Sequence, residues 1–100
     1  MPPKFSIVPV RAFEDTSLHP AALKVLVSLG AYADRRGYCY PSQATLARRL
    51  KVSRQAVNRQ IRILEDLGYL KIVRRVHPCG AELSCLYQIL FESPKEKSLN

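Results

Sequence analysis

Hydrogen-bonding side chains recur at helical spacing between residues 53 and 62. Arginine can donate two hydrogen bonds to guanine, and asparagine or glutamine can pair with adenine through a donor and an acceptor together. On a helical wheel, the polar side of this stretch holds Arg54, Gln55, Asn58 and Arg62, with Arg59 at the flank. The opposite side holds Val57, Gln60, Ile63, Leu64 and Leu67, with Ile61 at its border. We therefore predict an amphipathic helix whose apolar side packs on the protein and whose polar side can contact DNA bases.

The polar side of this helix divides into two groups of candidates. Arg54, Gln55 and Asn58 are predicted to contact bases, whereas Arg59 and Arg62 are predicted to contact phosphates or bases. A solvated polar face on an ordinary amphipathic helix is the alternative interpretation. The charge pattern favours DNA contact, because the acidic residues of the helix stand at its far end, at positions 65 and 66.

Two serines mark the starts of two successive helices. Ser42 and Ser53 can each accept hydrogen bonds from the free amides of a first helical turn. The helix that Ser53 begins is predicted to run to about Leu67 and to end at Gly68, since glycine adopts the left-handed stop conformation without strain. Two helices joined by about three residues have the spacing of a helix-turn-helix.

The start of the earlier of these helices is also a candidate phosphate site. Free amides and the positive end of the helix dipole coincide at Ser42 and Gln43. We predict that both residues contact the DNA backbone, and the alternative is that Ser42 only caps the helix.

A further helix is predicted upstream, over residues 20–33. Thr16 or Ser17 is expected to supply its capping oxygen, and Pro20 suits a first turn in which its missing amide is not needed. Its apolar residues recur every three or four positions, at Ala22, Val25, Leu26, Leu29 and Ala33. Residues 1–18 alternate weakly in polarity, which predicts an extended arm or an edge strand interrupted at Pro9.

The carboxyl-terminal third predicts a β-hairpin. Residues 70–76 and 83–90 are rich in strand-forming side chains, and the loop between them contains proline and glycine. Arg74, Arg75 and His77 stand near the tip, where we predict contact with the DNA backbone or the minor groove. Cross-strand packing with arginines exposed to water is the alternative.

Charge and composition indicate the kind of partner and the cellular compartment. Residues 41–76 carry nine basic and two acidic groups, which accounts for most of the formal net charge of +8 and favours a polyanionic partner. The three cysteines are widely spaced, which is typical of a reducing cytosol, and a zinc site built from His77, Cys79 and Cys85 lacks a fourth ligand. We predict a cytoplasmic protein with no membrane span, no metal, no cofactor and no catalytic residues.

The order of elements predicts the fold. Helix, short strand, helix, tight turn, helix, strand, loop and strand make a mainly α domain with a small β-hairpin. This is a winged helix-turn-helix of three helices plus a two- or three-stranded antiparallel wing. We assign the domain to residues 17–91, preceded by an N-terminal arm at 1–16 and followed by a polar C-terminal tail at 92–100.

Two motifs connect the chain to a known family. A Pro-Ser-x-x-x-Leu-Ala step at 41–47 leads into the helix-turn-helix, and a Leu-Glu-x-x-Gly-x-Leu exit at 64–70 leads into the hairpin. With these motifs, residues 17–90 resemble the winged helix-turn-helix domain that opens many plasmid and phage replication initiators. Many bacterial transcription regulators share the same steps. The resemblance implies binding of double-stranded DNA, with the helix at about 53–67 in the major groove, for transcription regulation or plasmid or phage replication control.

The resemblance leaves alternatives open. Initiators of this kind carry a second domain, for which 100 residues leave no room, so we expect a stand-alone regulator, an accessory factor or a fragment. A protein-binding winged helix within a larger assembly is the rival function. Many such domains pair on inverted repeats, and the homodimer surfaces expected here are the arm, with Phe5, Ile7, Val10 and Phe13, and the end beyond Leu90.

Overall fold

The computed structural model describes residues 4–39, 41–73 and 86–92. Over these ranges the chain forms, in order, α1 (Val10–Glu14), α2 (Pro20–Ala31), β1 (Tyr38–Cys39), α3 (Gln43–Leu50), α4 (Arg54–Asp66), β2 (Leu70–Val73) and β3 (Leu86–Ile89). The strands form an antiparallel sheet in the order β1-β3-β2. This architecture confirms the predicted winged helix-turn-helix fold.

Local sequence signals fix the ends of α3 and α4. The Ser42 hydroxyl accepts a hydrogen bond from the Thr45 amide, and the Ser53 hydroxyl accepts one from the Ala56 amide, each at 3.0 Å. Gly68 follows α4 with a φ of 84°, in the left-handed region that favours glycine. Both predicted caps and the predicted stop are therefore confirmed.

The start of α2 differs from the prediction. His19 caps this helix, because its Nδ1 accepts a hydrogen bond from the Ala21 amide at 3.0 Å. Ser17 instead donates its hydroxyl to Asp15 at 2.6 Å. The predicted cap at Thr16 or Ser17 is wrong, since Pro20 occupies the first helical position and places the cap directly before it.

The N-terminal stretch is not an extended arm throughout. Residues 10–14 form α1, whose Ala12 is buried in the core. Arg11 holds α1 in place by donating hydrogen bonds from its Nη2 to the carbonyls of Gly68 at 2.8 Å and Leu90 at 2.7 Å. These are contacts between residues distant in sequence, so the weak alternation of residues 1–18 could not indicate them.

The segment before α1 crosses α2 at a glycine. The Ile7 amide donates to the Gly30 carbonyl at 3.1 Å, and the Ser6 hydroxyl donates to the Val27 carbonyl at 2.7 Å. A Cβ atom on Gly30 would collide with the Ile7 carbonyl oxygen and would lie 2.6 Å from the Ser6 hydroxyl. Glycine at position 30 therefore permits the close approach of the two backbones.

The core lies where α4 meets α2, α3 and β2. From α4 it takes Val57, Ile61 and Leu64. Ile63 and Leu67 are 37% and 44% exposed, so their predicted place on the inward side is wrong. The neighbouring elements pack against α4 on the side of Ile61, which was predicted at the border. None of the helices in the described ranges is long and apolar enough to cross a membrane.

Candidate nucleic-acid interface

The outer face of α4 carries a group of exposed basic and amide side chains. Arg54, Gln55, Arg59 and Arg62 are all exposed, as the sequence predicted. In the described part of the chain, none of the three arginines has a hydrogen-bonding or ion-pairing partner. Their donors therefore point into solvent while Val57, Ile61 and Leu64 hold the other side of the helix on the core. We call Arg54, Gln55, Asn58, Arg59 and Arg62 the outer face of α4.

Asn58 occupies the border of this outer face. It is half-buried, and its Oδ1 accepts a hydrogen bond from Gln43 Nε2 at 3.2 Å. This bond joins two of the predicted site residues across the two helices of the helix-turn-helix. It also leaves the Asn58 amide nitrogen as a donor and one lone pair on Oδ1, so the side chain keeps both kinds of hydrogen-bonding group.

The two serines are engaged as helix caps. Besides accepting from the Thr45 amide, the Ser42 oxygen lies 2.9 Å from the Thr45 hydroxyl. Ser53 accepts from the Ala56 amide. Both serines are exposed, and no acidic side chain stands in the first turn of α3 or α4. No carboxylate of either first turn therefore competes for the positive end of the helix dipole.

The base of the hairpin is present, whereas its tip is outside the described residues. β2 and β3 pair antiparallel from Leu70 opposite Ile89 to Val73 opposite Leu86. Lys71 is exposed on β2. Arg74, Arg75 and His77 lie outside the described residues, so their predicted contacts with the backbone or the minor groove stay predictions.

With the geometry of α3 and α4 established, the chain can be compared with known proteins. A family model for the helix-turn-helix domain matches residues 16–70, which includes α2, α3 and α4. The chain belongs to the helix-turn-helix domain family. Together with the antiparallel sheet, this makes it a winged helix-turn-helix DNA-binding domain.

A solved structure shares the fold of this helix-turn-helix domain. It is a possible transcriptional regulator from Methanosarcina mazei Go1, with a TM-score of 0.56 and 22% sequence identity. The match covers 83% of this chain and 63% of that chain, so the domain spans less than two thirds of the length of that protein. A comparison with curated proteins gives no match.

Further basic side chains lie within the helix-turn-helix. Arg48 and Lys51 are exposed at the end of α3 and in the turn that follows. Arg49 is engaged, because it donates from Nη1 to the Tyr32 hydroxyl at 3.1 Å and lies 5.7 Å from the centre of that ring. Arg48 and Lys51 therefore carry exposed positive charge, whereas the charge of Arg49 is already engaged by Tyr32.

Cys39, which lies within the described ranges of this helix-turn-helix domain, has a structural role. Burial raises the pKa of the Cys39 thiol to about 12, and the charge of Asp34 adds to the increase. The thiol donates a weak hydrogen bond to the Tyr87 carbonyl at 3.6 Å. Cys39 is thus a neutral core residue rather than a nucleophile. Cys79 and Cys85 lie outside the described residues, and ranges 4–39, 41–73 and 86–92 contain no cluster that could hold a metal ion.

Arg11, Asp15 and Tyr69 form a cluster that was not predicted from the sequence. The Tyr69 hydroxyl donates to Asp15 at 2.6 Å, and the Arg11 guanidinium lies 4.2 Å from the centre of the Tyr69 ring. Burial raises the pKa of Tyr69 to about 12, with the Asp15 bond as a second cause. Hydrogen bonds from Ser17 and Tyr69 lower the pKa of Asp15. No local sequence pattern indicated this cluster, because Tyr69 lies 58 residues from Arg11 and 54 residues from Asp15.

Proposed function

We propose that this domain binds double-stranded DNA sequence-specifically, with α4 in the major groove, and that it regulates transcription. The observation that carries the proposal is the outer face of α4. Three arginines without partners in the described part of the chain extend from a helix whose opposite side is packed into the core. An α-helix fits the major groove, and the residues of its first turns reach the base edges.

Within the proposed complex, the residues of the outer face of α4 have different contacts with DNA. Arg54, Gln55 and Asn58 lie in the first turns of α4 and would contact bases. Arg59 and Arg62 would contact phosphates or bases farther along the helix. The Gln43–Asn58 bond supports a positioning role for Gln43, because it restrains the Asn58 side chain before DNA is bound.

We also propose contacts with the DNA backbone on either side of the major groove. Ser42, Gln43 and Ser53 stand at helix starts whose amides and dipoles favour phosphates. Arg74, Arg75 and His77 would reach the backbone or the minor groove from the wing. The antiparallel pairing of β2 and β3 supports this, because both strands lead to the segment that contains those three residues.

Transcription regulation is the biological role we propose. The shared fold with the possible transcriptional regulator from Methanosarcina mazei Go1 supports this role. We also propose that two copies pair on DNA through the N-terminal region, since Phe5, Val10 and Phe13 are 86%, 59% and 66% exposed.

Selection of bound duplexes from a random pool tests the proposal. We expect an enriched motif, with an inverted repeat if two copies pair, and binding that weakens steeply as salt rises. Enriched direct repeats would instead favour replication control. The matched control replaces Arg54, Arg59 and Arg62 together by glutamine, which keeps polar side chains at these positions but removes their charge and should therefore weaken binding. Failure of the unaltered chain to bind any duplex at low salt would refute DNA binding and favour a protein partner.

A further inference from the structure

The base of the wing is the point where α4, β2 and β3 meet. We use the name wing for β2, β3 and residues 74–85 between them. The short connection of residues 67–69 leads from α4 into β2, and Gly68 turns the chain there with a φ of 84°. The end of β3 lies beside this connection, since the Leu90 amide donates to the Tyr69 carbonyl at 2.9 Å. The direction of the wing relative to α4 therefore depends on a few residues.

Arg11 bridges the two segments that meet at this base. Its Nη2 atom donates to the Gly68 carbonyl at 2.8 Å and to the Leu90 carbonyl at 2.7 Å, so one nitrogen joins the exit of α4 to the exit of β3. No other described residue donates a hydrogen bond to either carbonyl. Hydrogen bonds from a charged donor are stronger than those between neutral groups, so this bridge restrains both segments.

The Arg11 side chain is itself held in place. Its guanidinium lies 4.2 Å from the centre of the Tyr69 ring, and the Tyr69 hydroxyl donates to Asp15 at the end of α1. Ala12, the next residue of α1, is buried in the core. A planar guanidinium that stacks on an aromatic ring keeps its donors in a fixed orientation. Arg11 can therefore act as a rigid bridge and not as a mobile surface charge.

We propose that Arg11 is a positioning residue for DNA binding, which fixes the wing relative to α4 so that both can contact the same duplex. It would act through the Gly68 and Leu90 carbonyls, without contacting DNA itself. The buried face of α4 stays packed in the core whichever way the wing points. Without the bridge, the wing would have to be ordered when DNA binds, which costs free energy. The role in DNA binding rests on the proposed function, whereas the restraint on the wing does not.

Residual dipolar couplings of backbone amides test the restraint without DNA. Arg11→Met removes the hydrogen-bond donors and keeps most of the aliphatic side chain. In the unaltered full chain we expect a single orientation of β2 and β3 relative to α4. In the variant, motion of the wing should reduce the couplings of β2 and β3 relative to those of α4. Arg36→Met is the matched control, because Arg36 is an exposed arginine that lines the same groove as Leu90 and its side chain has no described partner.

A second variant covers the case in which Arg11→Met does not fold. Arg11→Lys keeps the charge, but its side chain is shorter and has no planar group to stack on the Tyr69 ring. It should reduce the couplings of β2 and β3 in the same direction as Arg11→Met. Unchanged couplings of β2 and β3 in a folded Arg11 variant would overturn the restraint, and the positioning role with it.

A double-mutant cycle tests the role in DNA binding, with Arg75→Ala on the wing and Arg59→Ala on α4. On a selected duplex, we expect Arg75→Ala to raise the Kd about tenfold in the unaltered chain, the loss expected for one charged hydrogen bond. In the folded Arg11 variant it should raise the Kd only slightly. Arg59→Ala should raise the Kd by the same factor in both backgrounds, whereas a general loss of structure would reduce the effects of both substitutions alike.

The outcomes of the cycle separate this role from the proposed function. An equal effect of Arg75→Ala in the two backgrounds would overturn the positioning role of Arg11. No effect of Arg75→Ala in the unaltered chain would refute the proposed wing contact and the positioning role together, and the dipolar couplings would still show whether Arg11 restrains the wing. A restrained wing in a chain that binds no duplex would overturn the proposed function and leave the restraint.

Discussion

Single side chains on the outer face of α4 differ in what they can contribute to DNA binding. Arg59 is exposed and has no partner in the described ranges, so its charge is available to a phosphate. Asn58 is half-buried and hydrogen-bonded to Gln43. It would therefore contribute a side-chain amide held in a defined orientation, not a charge. The two residues are therefore expected to respond differently to substitution.

Replacing Arg59 by alanine should weaken binding to all duplexes by a similar factor. Each phosphate contact contributes about 0.9 to the slope of log affinity against log salt, so the slope should fall by about that amount. Fluorescence anisotropy at several salt concentrations measures the slope, and Lys4→Ala serves as a control on an exposed residue away from α4. An unchanged slope would show that Arg59 contacts no phosphate.

Replacing Gln43 by leucine should affect sequence preference through Asn58. The substitution removes the 3.2 Å bond that restrains the Asn58 amide, so discrimination at one base pair should decline. Loss of a bidentate base contact costs about 1–3 kcal/mol, and Asn58→Ala should lose this amount while Gln43→Leu loses part of it. Competition between the selected duplex and single-base variants gives the comparison. Equal losses of affinity on all duplexes would show that neither residue takes part in base recognition.

The charges of the outer face could be predicted from the sequence, but the Gln43–Asn58 bond could not. Helical periodicity places Arg54, Gln55, Arg59 and Arg62 on one side of a helix whatever its neighbours are. A bond between side chains of α3 and α4 depends instead on the angle and distance at which the two helices pack.

Among the secondary-structure elements, those with local signals were predicted best. Ser42, Ser53 and Gly68 act through hydrogen bonds and backbone conformations within a few residues, so their roles follow from the sequence. The inward face of α4 was less well predicted, because α2, α3 and β2 together decide that Ile61 is buried and Ile63 exposed.

Helix α1 was missed because distant contacts hold it in place. Arg11 binds carbonyls 57 and 79 residues away, and the Tyr69 hydroxyl binds Asp15 from 54 residues away. A helix of 5 residues has little stability of its own, so these tertiary contacts decide its conformation.

The hydrogen bonds that Asp15 accepts from Ser17 and Tyr69 make the stability of this region dependent on pH. The pKa of Asp15 is lowered below its usual value of 3.8, so its contribution to stability is present above about pH 4 and is lost as the pH falls through the lowered pKa. The pKa of Tyr69 is raised from 10.0 to about 12, so its contribution is complete below about pH 10 and is lost as the pH rises toward 12.

Asp15→Asn should therefore reduce the acid sensitivity of the fold. We expect the variant to be less stable than the unaltered chain at neutral pH, and the difference to disappear once Asp15 is protonated. Urea unfolding midpoints from about pH 2 to about pH 7 measure this difference. Tyr69→Phe serves as the partner control, since it removes the Tyr69 hydrogen bond to Asp15 and leaves the hydrogen bonds from Ser17. A difference between variant and unaltered chain that stays constant over this range would contradict the account.

For the whole molecule, the three most exposed large apolar side chains of the described ranges lie apart in sequence from most of the basic ones. The basic groups of the described ranges concentrate around α3 and α4, whereas Phe5, Val10 and Phe13 belong to the N-terminal region. Such a division suits a domain that binds DNA with one surface and a second copy with another.

Pairing on DNA should depend on the N-terminal region. On a duplex with an inverted repeat, light scattering should give the mass of two chains, and Phe13→Ser should reduce it to one while binding to a single half-site is retained. Val27→Ser is the matched control, because Val27 is an exposed apolar residue of α2. Two copies of the Phe13→Ser variant on the same duplex would exclude Phe13 from the interface.

Amide chemical-shift mapping on a selected duplex shows which elements of the domain contact DNA. We expect the largest changes on the amides of residues 53–62. Smaller changes are expected at the start of α3, and little change at Val25, Leu26 and Leu29 in the buried face of α2. Changes concentrated in α1 or the preceding segment, with α4 unaffected, would contradict this expectation.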